Sequence, residues 1–209
     1  MEKTKIIVGL GSCGIAAGAG KVYDAFKKAA EEGNASFELG KTSCVGMCYR
    51  EPLVEVVDHT GTYLYGDIDE TKAIELLEKH LTHKEVITDY LVKAEKQETV
   101  DDSFFQGQVK IALRNCGHID PENIEEYKTR GGYDALTAIA KKGMKQEDVI
   151  QEVLNSGLRG RGGGGFSTGK KWQFAFNYKS DEKYLICNAD EGDPGAFMDR
   201  SLLEGDPHA

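Results

Sequence analysis

The chain has 209 residues, room for one large or two small domains, with 29% charged and 40% apolar residues, as in ordinary soluble proteins. Thirty-five acidic against 26 basic residues give a formal net charge of −9, which argues against nucleic-acid binding, whose footprint is usually basic. No apolar run approaches the ~20 residues of a transmembrane helix, and Met1-Glu2-Lys3-Thr4-Lys5 opens no export signal, so the chain reads as cytoplasmic or facing the cytoplasm.

Lys5 to Leu10 is a short β run. Val22 to Glu32 has helical periodicity, with Val22, Ala25, Phe26 and Ala29 on one face and Gly33 as its stop. Ser36 to Thr42 is a second strand, Phe37 and Leu39 sharing a face. Leu53 to Val57 and Thr62 to Tyr65 flank Asp58-His59-Thr60-Gly61 and predict a hairpin. A helix over Thr71 to His80 follows, apolar at Ala73, Ile74 and Leu77. The order β-α-β-β-β-α within about 80 residues suits a small open α/β sandwich close to thioredoxin-like.

Five cysteines without an export signal read as metal ligands or buried thiols rather than a disulfide framework. Cys13, in Gly11-Ser12-Cys13-Gly14, and Cys44 and Cys48, in Ser43-Cys44-Val45-Gly46-Met47-Cys48, sit in glycine-containing turns at strand ends. There a backbone can wrap an iron–sulfur cluster and donate N–H bonds to its sulfurs. The bland alternative is cysteines packed as small apolar side chains. Gly9 to Gly14 also fits G-x-G-x-x-G after a strand, with Glu38 near the distance of a ribose-binding acid; the rival reading is a small dinucleotide unit.

From Thr82 to Gln108 the periodicity fades into an interdomain linker that Phe104 and Phe105 anchor. Val109 to Arg114 reads as a strand entering a second domain. Asp120-Pro121 reads as an N-cap with proline at N1, opening a helix that Gly131-Gly132 ends. Tyr133 to Lys142 and Gln146 to Asn155 are two more helices. The histidines at 59, 80, 83, 118 and 208 are scattered and read as solvated or structural.

The chain then reaches its most informative stretch. Seven glycines, two arginines and no acid lie between Gly157 and Gly169. Such a segment gives up too much backbone entropy to be a helix or strand interior. It suits close approach of backbone N–H groups to an anion, because Lys170 to Phe176 has helix-forming character and a helix N-terminus favours negative charge. A flexible linker is the alternative. Gly164 to Lys170 matches G-x-x-x-x-G-K, but Lys171 stands where a P-loop needs Ser or Thr for magnesium. Lys183 to Cys187 reads as a strand, with Asn188, Asp190 and Glu191 at its end, where open α/β sheets bind ligands. A turn rich in Asn and Asp is the plain alternative.

GRGGGGFSTGKKW followed by NADEGDPGAFMDR resembles the NADH-oxidising flavoprotein component of respiratory complex I and the beta subunits of NAD-linked hydrogenases and formate dehydrogenases. The likeness covers roughly residues 113–209. It implies an FMN site lined by Gly160, Arg161, Gly162, Gly163, Lys171, Asn188, Asp190 and Glu191. Phe166 and Phe174 resemble the aromatics that stack on the adenine of NADH, and Asp193 stands where the family has an acid near the nucleotide. Ser167 replaces a usual proline. The first part resembles the thioredoxin-like [2Fe-2S] ferredoxin domain that accompanies this flavoprotein. That family has a further cysteine where this chain has Gly18, so both a bound [2Fe-2S] cluster and a domain that has lost its metal stay open.

The resulting expectation is an α/β chain in three parts: residues 1–85 thioredoxin-like, 86–108 linker, and 109–209 the first part of an FMN/NADH-binding domain. By the resemblance the flavin contacts and the four cysteines of a [4Fe-4S] cluster that lie further along are absent here, which implies an incomplete form of the flavoprotein. The implied function is NADH oxidation by hydride transfer to FMN, with electrons passing to iron–sulfur centres and partner subunits of a redox complex. No side chain is needed as acid, base or nucleophile. A non-catalytic electron-transfer or assembly module that binds no flavin is the alternative.

Overall fold

A computed structural model describes residues 3–33, 36–95 and 105–209. They fall into two units, Met1–Arg130 with Asp190–Ala209, and Gly131–Ala189. The first is built on a sheet of β1 (Thr4–Gly9), β2 (Phe37–Thr42), β3 (Val54–Asp58), β4 (Gly61–Tyr65) and β5 (Leu91–Ala94), ordered β2-β1-β3-β4-β5. β1 and β2 are parallel, and the other neighbours are antiparallel. The alternation in the strands decides which face is covered. Ile6, Val8, Val54 and Val56 point inward and are fully buried. Against them lie Ala19, Val22 and Phe26 of α2 (Ala19–Glu31) and Ala73 and Leu76 of α3 (Glu70–Leu76). The expected α/β class is observed, and a parallel βαβ pair continued by an antiparallel hairpin and a helix is the thioredoxin-like order.

The hairpin turn closes at the pair Asp58 and Gly61, where the Asp58 side chain accepts from the Thr60 backbone N–H at 2.8 Å. α3 continues as a wider turn over Leu77–Thr82. This delivers His80 into the core, where it is 2% exposed. The Tyr65 hydroxyl lies 2.5 Å from its Nδ1, and Asp58 Oδ2 lies 3.6 Å from its Nε2. Among the expected structural histidines, His80 fills that role.

Several expected elements differ. Leu91–Ala94, read as linker, is the edge strand β5, with Val86 and Ile87 packed against the core. A strand of four residues is too short to show a period. Phe104 lies outside the described residues, while Phe105 packs against Met47, Leu53 and Val92. Val109–Arg114, read as a strand, joins no ladder and leads into turns, with Val109 84% and Ile111 76% exposed. Asp120 does not cap the next helix. It accepts from Glu122 N–H at 3.0 Å in a turn, and Asn123 caps α4 (Ile124–Thr129) by accepting from Glu125 N–H at 3.1 Å.

The second unit contains α5 (Asp134–Lys142), α6 (Gln146–Asn155) and α7 (Thr168–Asn177). α6 and α7 cross at Gly169, where an added Cβ would sit 2.7 Å from both Leu154 N and Leu154 Cγ. Lys183–Cys187, read as a strand, has no ladder partner among the described residues. Its apolar side chains need a neighbouring strand to pack on, and Leu185 and Ile186 are 101% and 83% exposed.

Burial holds the His80 imidazole below its ordinary pKa, against the opposing pull of Asp58. The unfolded chain therefore binds a proton on His80 before the folded one does, and stability is lost as pH falls below about 6.5. Urea midpoints should decline from pH 6.5 to 5, and His80→Asn should flatten that limb. A wild-type midpoint constant over this range would contradict the buried neutral imidazole.

Candidate functional site

The cysteine group stands at the strand ends of the first unit. α1 (Ser12–Ala17) starts directly after β1 and carries Cys13. Its seat depends on two glycines. A Cβ on Gly11 would lie 2.9 Å from Cys44 N, and one on Gly14 would lie 2.4 Å from Gly9 O. Both are closer than real Cβ atoms come, so glycine permits α1 to lie against the Cys44 loop. The G-x-G-x-x-G spacing at residues 9–14 thus has a packing explanation, and β3 runs antiparallel to β1, unlike a dinucleotide fold.

The sulfurs of Cys13, Cys44 and Cys48 lie within 4.8 Å of one another. Cys44 and Cys48 Sγ are 3.7 Å apart, and Gly46 N–H donates to Cys44 Sγ at 3.2 Å. The hydrogen bond with Cys48 raises the Cys13 thiol above its ordinary pKa, and burial raises Cys44 and Cys48. The sequence therefore names three residues that the fold brings to one point. Soft thiolates with a backbone N–H donor are the donor chemistry of thiophilic metals and iron–sulfur centres, so the residues fit such a group. They supply three donors; among the described residues no fourth Cys, His, Asp or Glu joins them.

Gly18 joins α1 to α2 at φ 105°, with nothing within 4 Å of an added Cβ. A side chain there has space but is strained by the left-handed backbone.

Two neighbours escaped the sequence reading. Glu51, 8% exposed, accepts from Leu53 N–H at 2.8 Å through Oε2, and burial raises its carboxyl pKa. Arg200, on α8 (Met198–Gly205), places Nη2 3.7 Å from Cys13 Sγ. Arg200 lies within the stretch Asn188 to Arg200 already read for the flavin, and no sequence feature singles out Glu51.

In the second unit the glycine loop closes on itself. Gly160 N–H donates to Phe166 O at 2.8 Å, closing the loop between Gly160 and Gly165. Nothing lies within 4 Å of an added Cβ on Gly162, Gly163, Gly164 or Gly165, and Gly163 and Gly165 have φ 98° and 58°. Arg161 Nη1 turns back onto Arg159 O at 2.8 Å. The loop delivers the chain to α7, two residues before the helical run the sequence suggested, because Ser167 caps it by accepting from Lys170 N–H at 3.3 Å. Lys171 stands in the first turn of α7, exposed. Phe166 and Phe174, 55% and 62% exposed, have ring centroids 6.4 Å apart.

Asn188 belongs to this second unit, whereas Asp190, Glu191 and Asp193 belong to the first. Glu191, at φ 47°, accepts from Asp199 and Arg200 N–H and so caps α8. Asp193 uses its backbone carbonyl to accept from Ala196 N–H at 3.1 Å. Among the described residues no helix is long and apolar enough to cross a membrane.

Residues 153–209 match the Nuo51 FMN-binding domain family. The resemblance read from the sequence is borne out. The NADP-reducing hydrogenase subunit HndC of Solidesulfovibrio fructosivorans is 55% identical over 102 residues, 49% of this chain and 20% of that relative. The F subunit of the NADH-quinone oxidoreductase of Aquifex aeolicus is 51% identical over 86 residues, 41% of this chain and 20% of that protein. The chain thus spans about a fifth of the length of these relatives. The thioredoxin-like [2Fe-2S] ferredoxin of Aquifex aeolicus aligns with 46% of this chain and 96% of its own, at 19% identity and TM-score 0.41.

Gly18→Cys should lower the stability of the metal-free chain by about 1–2 kcal/mol, because the strain is paid whether or not a metal is present. Thermal melts in chelator would check this; an unchanged melting temperature would show that the backbone at 18 relaxes freely.

Proposed function

We propose that the chain is a component of an NADH-oxidising flavoprotein, with FMN held at the glycine loop and the start of α7. The observation that carries this reading is the run from Gly162 to Gly165, where an added Cβ would meet nothing within 4 Å and which leads into a capped helix. Backbone N–H groups at such a helix start attract a phosphate, and Lys171 adds a charge in the same turn. When bound, FMN takes hydride from NADH and passes electrons on singly.

The chain's own residues bind and orient. Gly160, Gly162 and Gly163 let the backbone approach the flavin, and Arg161 and Lys171 offset its phosphate charge. Asn188, in the same unit as the loop, hydrogen-bonds to the flavin or ribose. Phe166 and Phe174 present exposed rings on which adenine can stack. The cysteine group would hold a thiolate-bound metal centre able to supply electron-transfer chemistry, and other subunits of a redox complex would complete the pathway on the cytoplasmic side. Residues 109–209 serve as the first part of the flavin domain.

The test is FMN titration into the 209-residue protein, followed by quenching of flavin fluorescence. One site is expected. Lys171→Ala should weaken binding about tenfold, the loss of one charge-assisted bond of roughly 1.5–3 kcal/mol. Phe166→Ala should leave FMN binding intact but weaken NADH binding by roughly 1–3 kcal/mol, the worth of a base stacked on an aromatic. No quenching by FMN, or an unchanged affinity in Lys171→Ala, would contradict the site.

A further inference from the structure

The helix α8 carries a positive charge to the cysteine group and is fastened to the surrounding fold by polar contacts. Glu204 accepts from the Ser12 backbone N–H at 3.1 Å and from the Ser12 hydroxyl, the residue next to Cys13. Asn115 Nδ2 donates to Asp206 Oδ2 at 2.8 Å in a buried pair. Cys116 Sγ lies 3.5 Å from Ser201 O, also buried. Glu204 Oε1 stands 3.9 Å from Arg200 Nε on the preceding turn. Arg200 is thus held from behind by a carboxylate while Nη2 reaches Cys13 Sγ at 3.7 Å.

We infer that Arg200 is the outer-sphere partner of a metal centre bound by Cys13, Cys44 and Cys48: a positioning residue that donates to Cys13 Sγ and offsets the negative charge of three thiolates. Three thiolates around a divalent ion leave a net charge of −1, and the only formal cation hydrogen-bonded to the group among the described residues is this guanidinium. A guanidinium stays charged at any working pH and donates along fixed directions, so it serves this purpose better than a lysine. Partners of this kind orient ligands and tune affinity. The inference needs the cysteine group to hold a thiophilic metal, but it needs neither FMN nor NADH.

The experiment titrates Cd2+ into the reduced, metal-free 209-residue protein, following thiolate-to-metal charge-transfer absorbance. Competition with a chromophoric chelator then gives affinity. Wild type should bind one ion per chain. Arg200→Gln should bind about tenfold more weakly, the low end for a lost outer-sphere partner, since Arg200 is half exposed. Arg200→Lys should recover part of the loss. Cys187→Ser, at an exposed cysteine outside the group, should change nothing. A merely structural role is separated by a double-mutant cycle. In a Cys13→Ser background, Arg200→Gln should cost little, because its partner sulfur is gone. Equal losses in both backgrounds, or an unchanged affinity in Arg200→Gln, would overturn the assignment. Absence of cadmium binding by wild type would overturn the metal centre itself, whatever the outcome of the flavin titration.

Discussion

The first unit depends on how closely two loops approach at the ends of β1 and β2. Gly11 faces the backbone of Cys44 with no room for a side chain, and Gly14 lies over Gly9 O. A Cβ at either position would push α1 outward and carry Cys13 away from Cys44 and Cys48. Small residues are placed there to bring sulfur atoms together, which is a geometric requirement rather than one of flexibility. The sheet beneath supplies rigidity. Ile6, Val8, Val54 and Val56 are buried to the last atom, and Phe26 of α2 seals the same core.

The two sites follow opposite principles. At the cysteine group side chains converge and the backbone is crowded. At the glycine loop side chains are missing, and added Cβ atoms on Gly162 to Gly165 would meet only open space. The first arrangement suits a soft ion that bonds to sulfur. The second suits a phosphate that bonds to N–H groups. α8 connects the first of these with the acidic loop, since Glu191 caps the helix whose side chain Arg200 meets Cys13. The stretch read in sequence as flavin-site residues therefore also contributes to the cysteine site.

Much of this was legible in the sequence where local chemistry decided the outcome. The strands β1 to β4, α2, the helices from Tyr133 to Asn155 and the three cysteines all follow from periodicity or residue type. The failures share a cause. Leu91–Ala94 and Lys183–Cys187 carry similar apolar content, yet only the first finds a partner strand, in β4. Pairing depends on a neighbour distant in sequence, which no local window contains. Asp120 and Asn123 are both plausible caps, and tertiary placement chose the second. Gly169 looked like the end of a glycine run, whereas it is where α6 and α7 touch. Arg200 was invisible because its partner lies 187 positions away.

The central claim is that Cys13, Cys44 and Cys48 act together on one metal centre, brought together by the glycine contacts of α1. X-ray absorption at the zinc edge of the protein loaded with one equivalent of Zn2+ tests it most directly. The account predicts a first shell with three sulfurs at about 2.3 Å and one lighter neighbour. A shell with fewer than three sulfurs, dominated by nitrogen and oxygen, would contradict it.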